Sequence, residues 1–275
     1  MKFDVSLSLA LFLITVAALF LYTKFGEKVK SLLGGKEFTT RDTVLLVAMM
    51  GIMITVLGWT IIQIPEMAIM VLFLYAYSMI LFLFTYLVIP KWYLAVLAPA
   101  LFVALFILFR DTYLWTPYLM NLFAIIFAIC ISVYMGGLFS WKTTTLFVVL
   151  LTLMDIVQVL ITGFMVEASE KMIALQLPVM IIVPTFPSRD ISISGLVGLG
   201  LGDIFLTGLL CIQTMQKYGK KFGLVSVGAI AIVFLLLETI LINYNVGFFP
   251  ATVFIISGWL TALGARQLFK SLSRL

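Results

Sequence analysis

Long apolar runs separated by short polar segments fill the chain from end to end. Each run is close to the roughly 20 residues that a helix needs to cross a bilayer. Charged residues, proline and glycine mark the connections between the runs. The pattern therefore predicts nine transmembrane helices, with bounds near 4–23, 43–64, 67–89, 92–109, 118–139, 143–166, 193–214, 222–243 and 248–268.

Two connections are longer than the others, at 24–42 and 167–192. Neither is long enough to form a domain, since independent domains usually need at least about 50 residues. We therefore expect a single membrane-embedded domain over 1–275. Its parts are spans one to six (about 4–166), the 167–192 loop, and spans seven to nine (about 193–268). The fold class is all-α and polytopic.

Composition agrees with this pattern and limits the chemistry. Apolar residues make up 64% of the chain, charged residues only 11%, and the mean hydropathy is +1.24. Soluble proteins have roughly 45–50% apolar and about 25% charged residues, so a water-soluble enzyme is excluded. The chain has no histidine, which excludes histidine-based zinc and serine–histidine chemistry. Cys130 and Cys211 lie in apolar runs and are expected to act as small hydrophobic residues, so we expect no metal or cofactor.

Positive charge is distributed unevenly between the two sets of connections. By the positive-inside rule, thirteen cations on one side against four on the other place the N-terminus outside and the C-terminus in the cytoplasm. The net charge of +5 is explained by anionic lipid and requires no nucleic-acid partner. The larger set is Lys24, Lys28, Lys30, Lys36, Arg41, Lys91, Lys142, Lys217, Lys220, Lys221, Arg266, Lys270 and Arg274; the smaller is Lys2, Arg110, Lys171 and Arg189.

Three carboxylates fall inside the predicted spans, where an ionisable group costs at least about 2.5 kcal/mol. Asp155 lies about eleven residues from the end of the sixth span, and Asp203 about ten residues from the start of the seventh. At 1.5 Å per residue, both are about 15 Å from the same membrane face. Glu238 lies near the end of the eighth span, and we expect a structural role with its carboxylate reaching the interface.

Polar and small residues continue from each aspartate at helical spacing, which predicts that the two spans line one hydrated cleft. Gly198 and Gly202 form a GxxxG pair that permits close helix approach and also favours local unwinding. The two stripes are Thr152, Asp155, Gln158 and Thr162 in the sixth span, and Gly200, Asp203, Thr207, Cys211 and Thr214 in the seventh.

Two carboxylates held close together in an apolar site share one proton. The ionised partner can then activate water while the protonated partner hydrogen-bonds to a peptide carbonyl, which is sufficient for hydrolysis. Three other interpretations remain open. The aspartates could be structural hydrogen-bonding groups, they could form a proton relay in a secondary transporter or channel, or the protein could be a non-enzymatic scaffold. Inverted repeats would favour a transporter, and the sequence shows no convincing internal symmetry.

A peptide unwound for cleavage needs backbone partners, which a strand edge supplies. Residues 178–184 are a β-branched run between two prolines, too short to span the membrane, and Ile181 and Ile182 are the candidate substrate-binding residues. The amphipathic stretch Glu167–Leu177 precedes this run and predicts a short interfacial helix. The alternative for 178–184 is a re-entrant or buried loop.

These residues together resemble a known family. Asp155, the Gly-Leu-Gly-Asp at 200–203 and the Phe-Pro-Ala at 249–251 resemble motifs of the presenilin and signal peptide peptidase family of intramembrane aspartyl proteases, especially its archaeal-type members. The resemblance implies a presenilin-like fold in a prokaryotic cell membrane. It also implies an aspartic endopeptidase that cleaves transmembrane segments or remnant signal peptides.

By this resemblance, Asp155 and Asp203 are the catalytic residues, and Gly200, Gly202, Pro250 and Ala251 contribute to substrate binding. Two residues depart from the family pattern. Met154 replaces the tyrosine before the first aspartate, and Thr252 replaces the leucine after Pro-Ala.

The predicted orientation resembles that of signal peptide peptidases and is opposite to that of presenilins. We therefore expect substrates whose N-terminus is cytoplasmic, processed by a monomer or homo-oligomer in the bilayer. Prepilin peptidases also use a GxGD-like site, but they resemble this chain less because their motif usually carries histidine and they have fewer spans.

Overall fold

The computed structural model describes residues 2–32, 34–60, 64–187, 196–244 and 249–272. Arg189, Arg274 and the predicted starts of the seventh and ninth spans lie outside these residues. Helices dominate the described chain: α1 Ser6–Leu32, α2 Thr40–Thr60, α3 Glu66–Val88, α4 Trp92–Ala95, α5 Leu97–Phe109, α6 Met120–Leu138, α7 Trp141–Ile156, α8 Phe164–Ala174, α9 Leu201–Tyr218, α10 Lys220–Asn243 and α11 Ala251–Leu272. Wide helical turns at Leu114–Leu119 and Val157–Ile161 precede α6 and follow α7, and two strands are β1 Met180–Pro184 and β2 Leu196–Gly200.

Seven helical segments of the described chain are long and apolar enough to cross a membrane. The prediction of an all-α polytopic membrane protein is therefore confirmed, with one small β-hairpin added to it. α2 and α9 are not among the seven. The seven segments are Ser6–Leu32, Glu66–Val88, Trp92–Phe109, Leu114–Leu138, Trp141–Ile161, Lys220–Asn243 and Ala251–Leu272.

Polar residues determine where two of the helices begin. Ser140 precedes α7, and its backbone N–H donates to Thr143 Oγ1 at 2.9 Å while Thr143 N–H donates to Ser140 Oγ at 3.4 Å. Thr39 and Asp42 make the same reciprocal bonds before α2. These capping boxes satisfy backbone donors that a helix start leaves unpaired.

α9 lies at the centre of the helical assembly, in contact with α1, α6, α7, α10 and α11. Most of its side chains are buried by protein, so few of them face lipid. Gly208 lets α9 approach Ser132 of α6 closely. The Gln213 amide donates to the carbonyls of Gly136 and Phe139, which lie at the end of α6. A helix surrounded by protein can therefore carry more polar residues than its lipid-facing neighbours.

The structure differs from the prediction at the start of the seventh span. β1 and β2 pair antiparallel from Met180↔Gly200 to Pro184↔Leu196, and α9 begins only at Leu201. The predicted GxxxG helix contact is therefore wrong, because Gly198 lies in a strand. Its missing side chain instead makes room for the Met180 side chain, which would lie 2.8 Å from a Cβ at Gly198. Glycine is a poor helix former, which allows the extended conformation here.

The predicted interfacial helix is present as α8, which starts and ends three residues earlier than expected. Gly163 adopts a left-handed conformation (φ 71°) immediately before α8. This residue separates α8 from the wide turn after α7. Glycine adopts this backbone conformation without steric cost. The chain can therefore turn sharply between the sixth span and α8.

The N-terminal segment holds the far end of the hairpin. Asp4 Oδ1 accepts hydrogen bonds from the backbone N–H of Phe186 at 2.9 Å and of Ser6 at 3.0 Å. The Ser6 hydroxyl donates to the Pro184 carbonyl at 2.7 Å. At the other end, the Tyr77 hydroxyl donates to the Pro178 carbonyl at 3.2 Å. The hairpin is thus tied to α3 and to the start of the chain.

Candidate functional site

The structure brings Asp155 and Asp203 to the same depth. The Trp141 and Tyr218 rings are in contact, with centroids 5.5 Å apart. The first residue of α7 and the last residue of α9 therefore lie at the same level. Asp155 lies 14 residues after Trp141, and Asp203 lies 15 residues before Tyr218. At 1.5 Å per residue, both aspartates are about 21 to 23 Å from that end. Asp155 is the second-last residue of α7, and Asp203 is in the first turn of α9.

Two cavities meet at this pair of aspartates. A cavity of about 380 Å³ lies toward α1, α10 and α11, and one of about 250 Å³ lies toward α2, α3 and α8. A substrate segment that reached the aspartates would therefore find space on both sides of them. The residues shared by both cavities are Asp155, Met165, Ser169, Gly200 and Asp203.

The start of α11 also reaches the aspartates. The Thr252 hydroxyl donates a hydrogen bond to Asp155 Oδ2 at 2.7 Å, and both side chains are buried. Pro250 and Ala251 line the larger cavity, whereas Thr252 lines the smaller. The structure thus brings Pro250 and Ala251, which were predicted to bind substrate, to the same site as Asp155 and Asp203.

Gly200 and Gly202 have different surroundings beside Asp203. A Cβ at Gly200 would lie 3.1 Å from Asp203 Oδ2, tighter than an ordinary van der Waals contact. A Cβ at Gly202 would meet nothing within 4 Å among the described residues. A side chain at Gly200 would therefore require the Asp203 carboxylate to shift by a few tenths of an ångström, whereas Gly202 borders open space in the smaller cavity.

The predicted polar stripes only partly line this site. The Gln158 amide donates to the Gly51 carbonyl of α2 at 3.0 Å, away from Asp203. The helix widens at Val157–Ile161, which turns this residue out of line with Asp155. In α9, Thr214 accepts a hydrogen bond from Trp259 Nε1 at 2.9 Å, and Cys211 is fully buried in the helix core. The two stripes therefore do not line a single cleft in the structure, contrary to the prediction from sequence.

The outer edge of β1 is already hydrogen-bonded. Ile182 N–H donates to Asn121 Oδ1 at 2.8 Å, and Asn121 Nδ2 donates back to the Ile182 carbonyl at 2.6 Å. Ile181 is buried and pairs with Leu199 on the inner side. The structure therefore does not support β1 as an open docking edge at these two residues.

β2 has the accessible edge instead. Residues of an antiparallel pair alternate between facing the partner strand and facing away. Because Ile182 faces away from β2, its partner Gly198 also directs its N–H and C=O to the outer edge. Gly198 and Gly200 line the larger cavity beside Asp155 and Asp203. No hydrogen bond from outside the hairpin reaches Gly198 within the described chain.

Glu238 lines the same larger cavity. The sequence predicts a structural role for Glu238, with its carboxylate reaching the membrane interface. Its carboxyl group lies within electrostatic range of that of Asp4, which is fully buried. Glu238 Oε2 and Asp4 Oδ2 are both buried, and each lacks a hydrogen-bond partner among the described residues. Two carboxylate oxygens are thus left unsatisfied next to the hairpin.

A lateral cleft lies beside the smaller aspartate cavity. It has a volume of about 630 Å³, lies between α2 and α7, and includes Gly51 and Gln158. Met154 lines both this cleft and the smaller aspartate cavity. Its flexible side chain separates the two spaces, in the position where the resemblance implies a tyrosine.

Three polar residues of this region were not assigned a role from sequence. Thr252 was noted only as a departure from a motif, and Asn121 and Asp4 were not considered. A buried polar group in an apolar segment needs a hydrogen-bond partner. That requirement is a usable signal for Asn121, which lies in the otherwise apolar start of α6.

Acidic and thiol groups in the rest of the described chain do not gather into a larger cluster. Cys130 and Cys211 are free and buried. Within the residues described above, no three His, Cys, Asp or Glu side chains are arranged to hold a metal ion. In comparisons with known proteins, no family model matches the chain, and no curated protein sequence matches it.

Proposed function

We propose that this protein is an intramembrane aspartic endopeptidase that hydrolyses peptide bonds in or near transmembrane segments. The proposal rests on one observation. Asp155 and Asp203, on separate helices, line the same two adjoining cavities in the middle of a multi-pass membrane protein. The resemblance of the motifs around Asp155, Asp203 and Pro250 supports it.

The hydrogen bond from Thr252 supports different roles for the two aspartates. A donated hydrogen bond stabilises the charged form of a carboxylate, so Asp155 is the general base that removes a proton from water. Asp203, the protonated partner, donates to the substrate carbonyl. The resulting hydroxide equivalent attacks the carbonyl carbon, and the tetrahedral intermediate collapses when a proton passes to the departing amine. The shared proton returns to the pair for the next cycle.

Substrate binding is assigned to the edge of β2. A transmembrane helix satisfies its own backbone groups, so its scissile bond must first be unwound. An extended segment beside Gly198 and Gly200 would regain backbone hydrogen bonds from the strand. Pro250 and Ala251 line the same cavity and would contact its side chains.

Two further features belong to the proposal. α2 and α9, which have 21 and 18 residues, would complete nine spans and so a presenilin-like fold of the archaeal type. The charge bias places the N-terminus outside and the C-terminus in the cytoplasm of a prokaryotic cell. The enzyme would then prefer substrates whose N-terminus is cytoplasmic. Equal cleavage of one substrate inserted in the two opposite orientations would contradict this preference.

The proposal is tested with purified full-length protein in proteoliposomes and a transmembrane peptide with glycine near its centre. We expect peptide products by mass spectrometry and inhibition by a hydroxyl-bearing transition-state mimic. Asp155→Asn and Asp203→Asn should each reduce cleavage at least about 100-fold. Asp111→Asn, at an exposed aspartate paired with Arg110, is the matched control and should retain activity.

The same vesicles distinguish the rival function. A proton relay would show proton flux that depends on Asp155 and Asp203 while the peptide stays intact. That result, or cleavage that survives both asparagine variants, would reject the protease.

A further inference from the structure

A separate cavity lies at the opposite end of the molecule from the hairpin. It has a volume of about 410 Å³ and is formed where α7 begins and where α9 and α11 end. Its size is within the range of small-ligand sites. We call it the basic pocket; its lining includes Trp141, Lys217, Tyr218, Arg266, Gln267 and Lys270.

Aromatic rings hold two of its cations in position. Lys217 Nζ lies 3.9 Å from the centroid of the Trp141 ring, and the Arg266 guanidinium carbon lies 3.7 Å from that of Tyr218. Phe222 flanks the same guanidinium at 4.9 Å. Contacts of this kind fix both side chains before any ligand arrives. Little conformational entropy is then lost on binding.

These two cations lack an anionic partner in the described chain. Lys217 and Arg266 form no ion pair or hydrogen bond with any described residue. Arg266 Nη1 is shielded from solvent and has no hydrogen-bond partner. The described lining contains no Asp or Glu. Cations are common at helix C-termini because of the helix dipole, but that preference does not account for a concave pocket around a guanidinium N–H that is shielded from solvent and unsatisfied in the described chain.

We infer that the basic pocket binds a phosphate-bearing anion. A guanidinium with an ammonium beside it matches the charge and geometry of a phosphate group. A choline-type cation is unsuited, because Lys217 and Arg266 already occupy the aromatic faces that would receive it. Tryptophan and tyrosine at helix ends are typical of the headgroup region, where anionic lipid is available. The phosphate therefore belongs to a lipid headgroup or to a soluble compound.

Binding is measured on the full-length protein in a neutral detergent at constant ionic strength. The probes are dioctanoyl phosphatidic acid, dioctanoyl phosphatidylcholine and sodium phosphate. Microscale thermophoresis measures the binding of each probe. We expect phosphatidic acid to bind at least about tenfold more tightly than phosphatidylcholine, and Arg266→Gln to weaken its binding about tenfold. Competition by sodium phosphate alone would identify a soluble ligand as the source, whereas its failure to compete would identify the lipid headgroup.

Lys28→Gln is the matched control, because Lys28 also lies over a ring, that of Phe25, but outside the basic pocket. This variant should bind phosphatidic acid like the unsubstituted protein. If Arg266→Gln unfolds, Lys217→Gln tests the same pocket. Equal binding of both lipids, or unchanged binding of phosphatidic acid in the Arg266 and Lys217 variants, would overturn the inference. Proteolytic activity is not needed for any arm of this test.

Discussion

Thr252 Oγ1 donates a 2.7 Å hydrogen bond to Asp155 Oδ2, and this bond connects the start of α11 with the end of α7. The two residues are 97 positions apart in the chain. α11 therefore contributes directly to the state of one proposed catalytic group. We therefore propose a functional role for Thr252, the position at which the sequence departs from the motif that it resembles.

Thr252→Val tests this contribution, because it removes the hydroxyl and keeps the shape of the side chain. A hydrogen bond to a charged group contributes roughly 1.5–3 kcal/mol, so we expect cleavage to fall about tenfold or more. Thr252→Ser restores the donor and should recover most of the activity. The measurement is the cleavage rate of the transmembrane peptide in proteoliposomes. Equal rates for the valine and serine variants would show that the hydroxyl has no role.

Gly200→Ala should impair catalysis without unfolding the protein. The added methyl group would lie 3.1 Å from Asp203 Oδ2, so the carboxylate would have to move by a few tenths of an ångström. Small displacements of a catalytic group can cost up to about 100-fold in rate, and we expect a loss of at least about tenfold. Gly228→Ala is the control, since a Cβ there meets no described atom within 4 Å. A Gly200→Ala variant as active as this control would argue against the steric effect.

Asn121→Ala should loosen the hairpin. The variant loses both hydrogen bonds to Ile182 and leaves the outer edge of β1 unsatisfied. We expect faster hydrogen exchange in peptides covering 178–187, together with slower substrate cleavage, because β2 is positioned through β1. Ser257→Ala is a suitable comparison, since that hydroxyl bonds only to Val253 within α11. Unchanged exchange in the asparagine variant would separate Asn121 from hairpin stability.

Replacements at Asp4 should have opposite effects on stability. Asp4→Asn keeps the acceptor for Phe186 and Ser6 and removes a fully buried carboxylate whose Oδ2 lacks a hydrogen-bond partner in the described structure. We expect its thermal midpoint to be equal to or above that of the original chain. Asp4→Ala leaves two backbone donors without their acceptor and should lower the free energy of unfolding by about 1–3 kcal/mol. Thermal unfolding in detergent measures both; destabilisation by the asparagine variant would contradict this account.

Several features follow from local sequence alone. The seven membrane-compatible helices and the α8 segment follow from hydropathy and periodicity, which depend only on neighbouring residues. The placement of Asp155 near the end of one helix and Asp203 near the start of another follows in the same way, although the depth argument assumed a helix where β2 lies. Glycine density at 198–202 indicated a departure from helix but did not indicate its form.

The tertiary structure decided which groups meet. β1 and β2 pair across a loop, which local sequence does not determine. Gly198 and Ile182 both direct their backbone groups outward, but Asn121 already occupies those of Ile182, so Gly198 lies at the open edge. The bonds of Asp155 to Thr252 and of Ile182 to Asn121 join residues 97 and 61 positions apart. The amino-acid sequence by itself determined a multi-pass helical chain with three acidic residues inside its predicted spans, because lipid solvation acts on each segment separately. Only helix packing determined the hydrogen-bond partners of those residues. A hydrogen bond requires two atoms within about 3 Å of each other, and the positions of these atoms depend on how several helices pack together.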